Sequence, residues 1–149
     1  MRKLIAYFSA SGTTRRAAIA LSLITEADLF EIAPAVPYTA KDLDWNDKRS
    51  RSSMEMKDES LRPALNEAKV DLSGYDMIYI GFPIWWGVAP RAVNTFIESN
   101  DLKGLRIVIF ATSGGSGLPY AVEDLKKKYP DLDITGGRLL NGTVTEDII

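Results

Sequence analysis

The chain has 149 residues, 46% hydrophobic and 26% charged, a composition that predicts one globular domain over residues 1–149 with a sizeable core. Its net charge of −2 argues against a broad nucleic-acid-binding surface, and the absence of Cys and His removes thiol catalysis, disulfides, Cys/His zinc sites and every Ser-His-Asp triad. The apolar run after Met1-Arg2-Lys3 ends at Ser9, too short for a signal peptide, and no stretch approaches the roughly 20 apolar residues of a membrane span, so the expected location is cytoplasmic.

Apolar runs typical of buried parallel strands recur at residues 4–8, 29–32, 77–82 and 106–111, with a weaker one at 138–140. Between the first two, residues 14–24 are rich in Ala, Leu and Ile and read as a helix. The stretch 33–71 breaks the rhythm. Pro34 and Pro37 interrupt it, and Thr39 and Asp42 have the spacing of a capping box that opens a polar helix. Residues 48–59 are mostly charged or Ser and predict a loose surface loop with no chemistry of its own. The next helix, 90–99, has Pro90 at a first helical position, with Val93, Phe96 and Ile97 at i, i+3, i+4 spacing. A helix over 118–129 places Glu123 and Asp124 ahead of Lys126, Lys127 and Lys128, the charge order the helix dipole favours. After Asn141-Gly142, Thr143 and Glu146 predict a capped C-terminal helix stub, too short to cover the last strand well. Alternation of strand and helix predicts an α/β fold, a parallel sheet covered on both faces.

Open parallel sheets bind ligands beyond the C-terminal ends of their strands, near the point where strand order reverses. Three loops fall on that edge. The first reads Ser9-Ala10-Ser11-Gly12-Thr13-Thr14, between a strand and a helix, where first-turn amides, the helix dipole and hydroxyls favour an anion. Gly12 permits a tight turn or a close ligand approach. With no Lys or Arg inside it, the loop would hold a phosphate by neutral hydrogen bonds; its plainer reading is a Ser/Thr-rich turn with an ordinary N-cap. The second loop contains Pro83, Ile84, Trp85, Trp86 and Gly87; neighbouring loop indoles rarely both point inward, so one is expected to face a ligand, although both could be core. The third, Thr112-Ser113-Gly114-Gly115-Ser116-Gly117, offers bare backbone or is a flexible connector. It is not a dinucleotide fingerprint, since Tyr120 stands where the third Gly is required, and no Walker loop is present. Together the loops suit a phosphorylated, planar, aromatic ligand.

The three loops in this order resemble those of the flavodoxin family, over about Arg2 to Leu140. The resemblance implies a flavodoxin-like three-layer sandwich on a five-stranded parallel sheet of order 2-1-3-4-5, with FMN as cofactor. It places Ser9, Ser11, Gly12, Thr13 and Thr14 at the phosphate and Pro83, Ile84, Trp85, Trp86 and Gly87 against the ring. Thr112, Ser113, Gly114, Gly115 and Gly117 would meet the pyrimidine edge through main-chain N–H groups. By the same analogy the Gly87–Val88 peptide turns over to accept a hydrogen bond from N5 of the reduced ring. The implied function is one-electron transfer between partner redox proteins, a reductase and an acceptor, by a monomer or weak dimer that binds neither nucleic acid nor membrane.

Two departures from the family pattern stand out. The third loop has no aromatic, Tyr120 lying just beyond it at a helix start, and between residues 82 and 117 the only acids are Glu98 and Asp101, while Arg91 sits near the second loop. A unit charge about 10 Å from a reduced flavin at an effective dielectric near 20 is worth roughly 1.7 kcal/mol, or roughly 70 mV for one electron. The expected potential is therefore less negative than that of strongly acidic flavodoxins. The alternatives are an FMN-dependent NAD(P)H:quinone-type reductase and a flavodoxin-like domain that has lost FMN. A receiver domain is excluded by Tyr7-Phe8-Ser9 where acids are required, and a low-molecular-weight tyrosine phosphatase by the lack of Cys.

Overall fold

Nine elements alternate along the chain in a computed structural model that describes residues 2–113 and 117–140: β1 (Lys3–Tyr7), α1 (Thr13–Thr25), β2 (Asp28–Glu31), α2 (Arg51–Lys57), β3 (Met77–Pro83), α3 (Arg91–Ser99), β4 (Arg106–Thr112), α4 (Leu118–Lys128) and β5 (Asp133–Leu139). All strand pairs are parallel, in the order β2-β1-β3-β4-β5, with Ile5 opposite Tyr79 and Tyr79 opposite Val108. The order reverses between β1 and β3, so the loops after these strands diverge and leave a crevice.

The interiors of the three central strands are apolar because both their faces are covered. On one face Ile5, Tyr7, Tyr79, Val108 and Phe110 pack with Ala17, Ala18 and Leu21 of α1. On the other, Leu4, Ala6, Ile78, Ile80, Ile107 and Ile109 pack with Val93 and Phe96 of α3 and Ala121 and Leu125 of α4. The two clusters are the two interfaces of a three-layer sandwich, as expected. Gly81, in the centre of β3, makes room for the Phe110 ring: a Cβ there would lie 2.0 Å from Phe110 Cζ.

Three predicted elements differ. The fifth strand begins at Asp133, five residues before the apolar run at 138–140, because Thr135-Gly136-Gly137 carries no apolar alternation. Gly136 instead admits α4, whose Val122 Cγ2 would lie 3.3 Å from a Cβ at that position. In the crossover, the Thr39–Asp42 box forms, Thr39 N–H donating to Asp42 Oδ2 (2.9 Å) and Asp42 N–H to Thr39 Oγ1 (3.2 Å), but it closes a turn. The helix lies in the supposed loose loop, as α2, capped by Ser50 and burying Ser52, Ser53, Glu55 and Met56. Pro90, expected at the first helical position, is instead the N-cap of α3, which begins one residue later at Arg91. The predicted C-terminal stub, residues 143–149, lies outside the described residues, as do Gly114 and Gly115. No helix among the described residues is long and apolar enough to cross a membrane.

Candidate functional site

A cavity of about 730 Å³ opens at the C-terminal edge of β1, β3 and β4, within the roughly 300–1,000 Å³ of small-molecule sites. From the first loop it is lined by Ala10, Ser11, Thr13 and Thr14; from the second by Pro83, Ile84, Trp85 and Trp86; from the third by Thr112 and Ser113. Nine of these are residues expected there from the sequence, and Ala10 lies inside the first loop. Ser9, Gly12, Gly87 and Gly117 shape the site without lining it.

Ser9 has a structural task. Gly12, the N-cap of α1 at φ 96°, has no capping side chain, and Ser9 Oγ accepts from Gly12 N–H and from Arg15 N–H, both at 3.1 Å. That ties down the third helical residue and leaves the Thr13 and Thr14 amides, which have no partner within the helix, at the cavity wall. Thr14, 1% exposed, hydrogen-bonds through its hydroxyl to that of Thr112 at 2.7 Å. Two hydroxyls carry two hydrogens, and one lies between them. Whichever residue donates, the pair keeps one further O–H for the cavity. The loop is also less neutral than its sequence: the Arg16 guanidinium folds back, Nη2 lying 3.4 Å from Thr13 Oγ1.

The second loop is a two-residue hairpin. Trp85 N–H donates to Val88 O (2.9 Å) and Val88 N–H to Trp85 O (3.1 Å), with Trp86 at φ 50° and Gly87 at φ 83° between them. Positive φ at both central residues is the type I′ signature, ordinarily filled by Asn-Gly; a bulky side chain there costs about 1–2 kcal/mol. The closing bond uses the Val88 N–H, so turning over the Gly87–Val88 peptide, as the family analogy suggests, would break it. Ile84 N–H donates to Thr112 O at 2.9 Å, fastening this loop to the third. Tyr120, at the start of α4, flanks the turn: a Cβ on Gly87 would lie 3.5 Å from its ring.

The two indoles have different roles. Trp85 is half-buried and packs edge-on against Phe8 and Tyr38, with ring centroids 5.6 and 5.5 Å away. Trp86 is 53% exposed and stands at the cavity rim. Behind Trp85, Arg51 lies 3.8 Å over the Tyr38 ring and pairs with Glu55 at 3.1 Å, and the Tyr38 hydroxyl donates to Glu55. Burial first, then that bond to a carboxylate, pushes the Tyr38 phenol far above its ordinary value, keeping it a protonated donor.

The crossover supplies what sequence analysis missed. Leu43, Trp45 and Ser52 complete the cavity wall. Their only signal was an indole in a run of turn formers, Asp44-Trp45-Asn46-Asp47. Arg91 does not face the cavity. It is 2% exposed, its Nε and Nη2 donating to the carbonyls of Glu55 (3.3 Å) and Met56 (3.1 Å) at the end of α2. Its charge therefore complements the negative end of that helix.

The sequence matches the family model described as Flavodoxin over residues 2–149. The chain belongs to the flavodoxin family. Its fold is shared by crystal structures from two Bacteroides species, both of proteins described as flavoproteins. With that from Bacteroides eggerthii it shares 55% identity at TM-score 0.95, covering 99% of this chain and 92% of the other. With that from Bacteroides uniformis it shares 52% at TM-score 0.94, covering 99% and 94%. A flavoprotein from Lactobacillus acidophilus, solved in complex with FMN, has the same fold at 24% identity and TM-score 0.73, covering 94% and 93%. Comparison with curated proteins gives no match.

Proposed function

We propose that this flavodoxin-family protein binds FMN at the C-terminal edge of its sheet and passes electrons singly between a reductase and an acceptor protein. The observation that carries this reading is one cavity in which unpaired first-turn amides and hydroxyls meet two indoles. The donor set fits a phosphate: the Thr13 and Thr14 amides, the Ser11 and Thr13 hydroxyls, the remaining O–H of the Thr14–Thr112 pair, and Arg16 alongside. The apolar half fits a ring system, with Ile84, Trp85 and Trp86 displacing water from it. FMN, when bound, would supply the redox chemistry.

None of the described residues lining the cavity has a side chain that titrates near neutral pH, so the site offers no positioned general acid or base. One-electron carriage requires none. The FMN complex of the Lactobacillus acidophilus protein supports the choice of cofactor.

The test is titration of the purified protein with FMN, read by quenching of flavin fluorescence, followed by addition of NAD(P)H. The reading expects stoichiometric quenching and no steady-state NAD(P)H oxidation until a separate reductase is supplied. Absence of quenching refutes the cofactor, and direct NAD(P)H turnover refutes the carrier role.

A further inference from the structure

A second cavity, of about 430 Å³, adjoins the first and shares with it the indoles of Trp45 and Trp86. Its remaining wall comes from the crossover: Asn46 and Lys48 before α2, then Ser53, Met56 and Lys57 on one face of that helix at i, i+3, i+4 spacing. The two cavities differ in charge. The described lining of the first holds no charged side chain, whereas the second has two lysines and no acid, in a chain whose net charge is −2.

Neighbouring carboxylates are engaged by amides and hydroxyls rather than in ion pairs with those lysines. Asp44 accepts from Asn46 N–H at 3.1 Å, Asp47 from Arg49 N–H at 2.9 Å, and Asp58 from Ser60 N–H and O–H at 3.0 and 2.6 Å. Among the described residues neither Lys48 nor Lys57 forms an ion pair. Ser53 Oγ accepts from Ser50 Oγ at 3.0 Å and so keeps its own hydrogen to donate. Trp45 is 70% exposed, which makes the shared wall a broad aromatic face open to solvent.

We propose that this second cavity is a binding site for a planar aromatic anion, its ring stacked on Trp45 and Trp86 and its charged group held by Lys48 and Lys57. Indole faces provide the apolar, planar contact, and two unpaired ammonium groups at the same opening select an acidic substituent over a neutral one. The two sites share the Trp45 and Trp86 wall, but lysines border only the second, so its preference for an anion does not depend on the flavin reading.

The probe is naphthalene-2-sulfonate, titrated calorimetrically against the protein with and without saturating FMN, beside the uncharged naphthalene-2-sulfonamide. The expected result is at least tenfold tighter binding of the sulfonate, a preference that shrinks in high salt and is lost in the Lys48→Gln/Lys57→Gln variant. FMN affinity of that variant should stay within twofold, and its circular dichroism and melting should be unchanged, since both lysines are exposed. Equal affinity for the two probes, full retention of sulfonate binding by the variant, no binding at millimolar probe, or displacement of the sulfonate by FMN overturns the proposal.

Discussion

Replacing Thr14 with Val separates the two jobs assigned to its hydroxyl. Both partners in the Thr14–Thr112 bond are buried, at 1% and 3% exposure, so removing one hydroxyl leaves the other at the inner wall of the cavity with its mate gone. An orphaned buried hydroxyl costs about 1–3 kcal/mol; in a domain of this size each kcal/mol lowers the melting temperature by about 2–4 °C. The expected loss is therefore on the order of 2–12 °C without ligand. In the Thr14→Val/Thr112→Val double variant both hydroxyls are gone and no orphan remains, so much of that loss should return, with a coupling of about 0.5–3 kcal/mol. Ligand affinity follows different logic. The hydrogen bond to phosphate is charge-assisted, worth about 1.5–3 kcal/mol, so either valine variant should bind FMN about 10- to 100-fold more weakly. Riboflavin has no phosphate, and its affinity should change less than about threefold once stability is corrected for. Fluorescence titration of both flavins against wild type, Thr14→Val, Thr112→Val and the double variant gives all the terms. Equal losses for FMN and riboflavin would remove Thr14 from the phosphate site and leave it a purely structural residue.

Two further predictions concern tyrosines in the core and at its edge. Tyr79 is fully buried in β3 and its hydroxyl has no hydrogen-bond partner among the described residues, so Tyr79→Phe should hold or raise stability by about 1 kcal/mol; a clear loss in urea unfolding would reveal a bond to that oxygen. The Tyr129 hydroxyl donates to Glu98 and accepts from Asn94 Nδ2, and burial together with the Glu98 carboxylate pushes its pKa from 10.0 up to about 12. A raised acid pKa means the unfolded chain releases its proton first. The contribution is thus complete below pH 10 and is lost as pH rises from 10 to 12. Unfolding free energy measured across that window should fall with pH, and Tyr129→Phe should flatten part of the slope; an unchanged slope contradicts the assignment.

Where burial is continuous along a segment, the sequence was readable. β1, β3 and β4 are covered on both faces, so their apolar runs coincide with the strands to within a residue or two, and three of the helices have apolar stripes to match. The edge strand β5 was shortened because one side of its Thr135-Gly136-Gly137 segment is exposed and the other receives a helix rather than contributing side chains. α2 was invisible for a different reason. Seven residues with two serines have no independent helix stability; burial of Met56 and a guanidinium supplied from 35 residues away create it. The site divides along the same line. Loops following strong strands were found, with Ser11, Thr13, Thr14, Trp85, Trp86 and Thr112 brought to one cavity, whereas Leu43, Trp45 and Ser52 arrive with the misread crossover. Ser9 has a second task that only the structure shows, its two acceptor positions being occupied by amides while its O–H stays free to donate.

The contact between Arg91 and α2 bears on how quickly anything bound could leave. Both cavities take one wall from the crossover, and that wall is fastened to α3 by the two carbonyl bonds of one guanidinium, helped by the Tyr38–Glu55 bond. A short helix held from outside opens at far lower energy than a five-stranded sheet with two packed faces. If release of a bound molecule follows the opening of α2, amide exchange in residues 51–57 should keep time with it while the strands beneath stay protected.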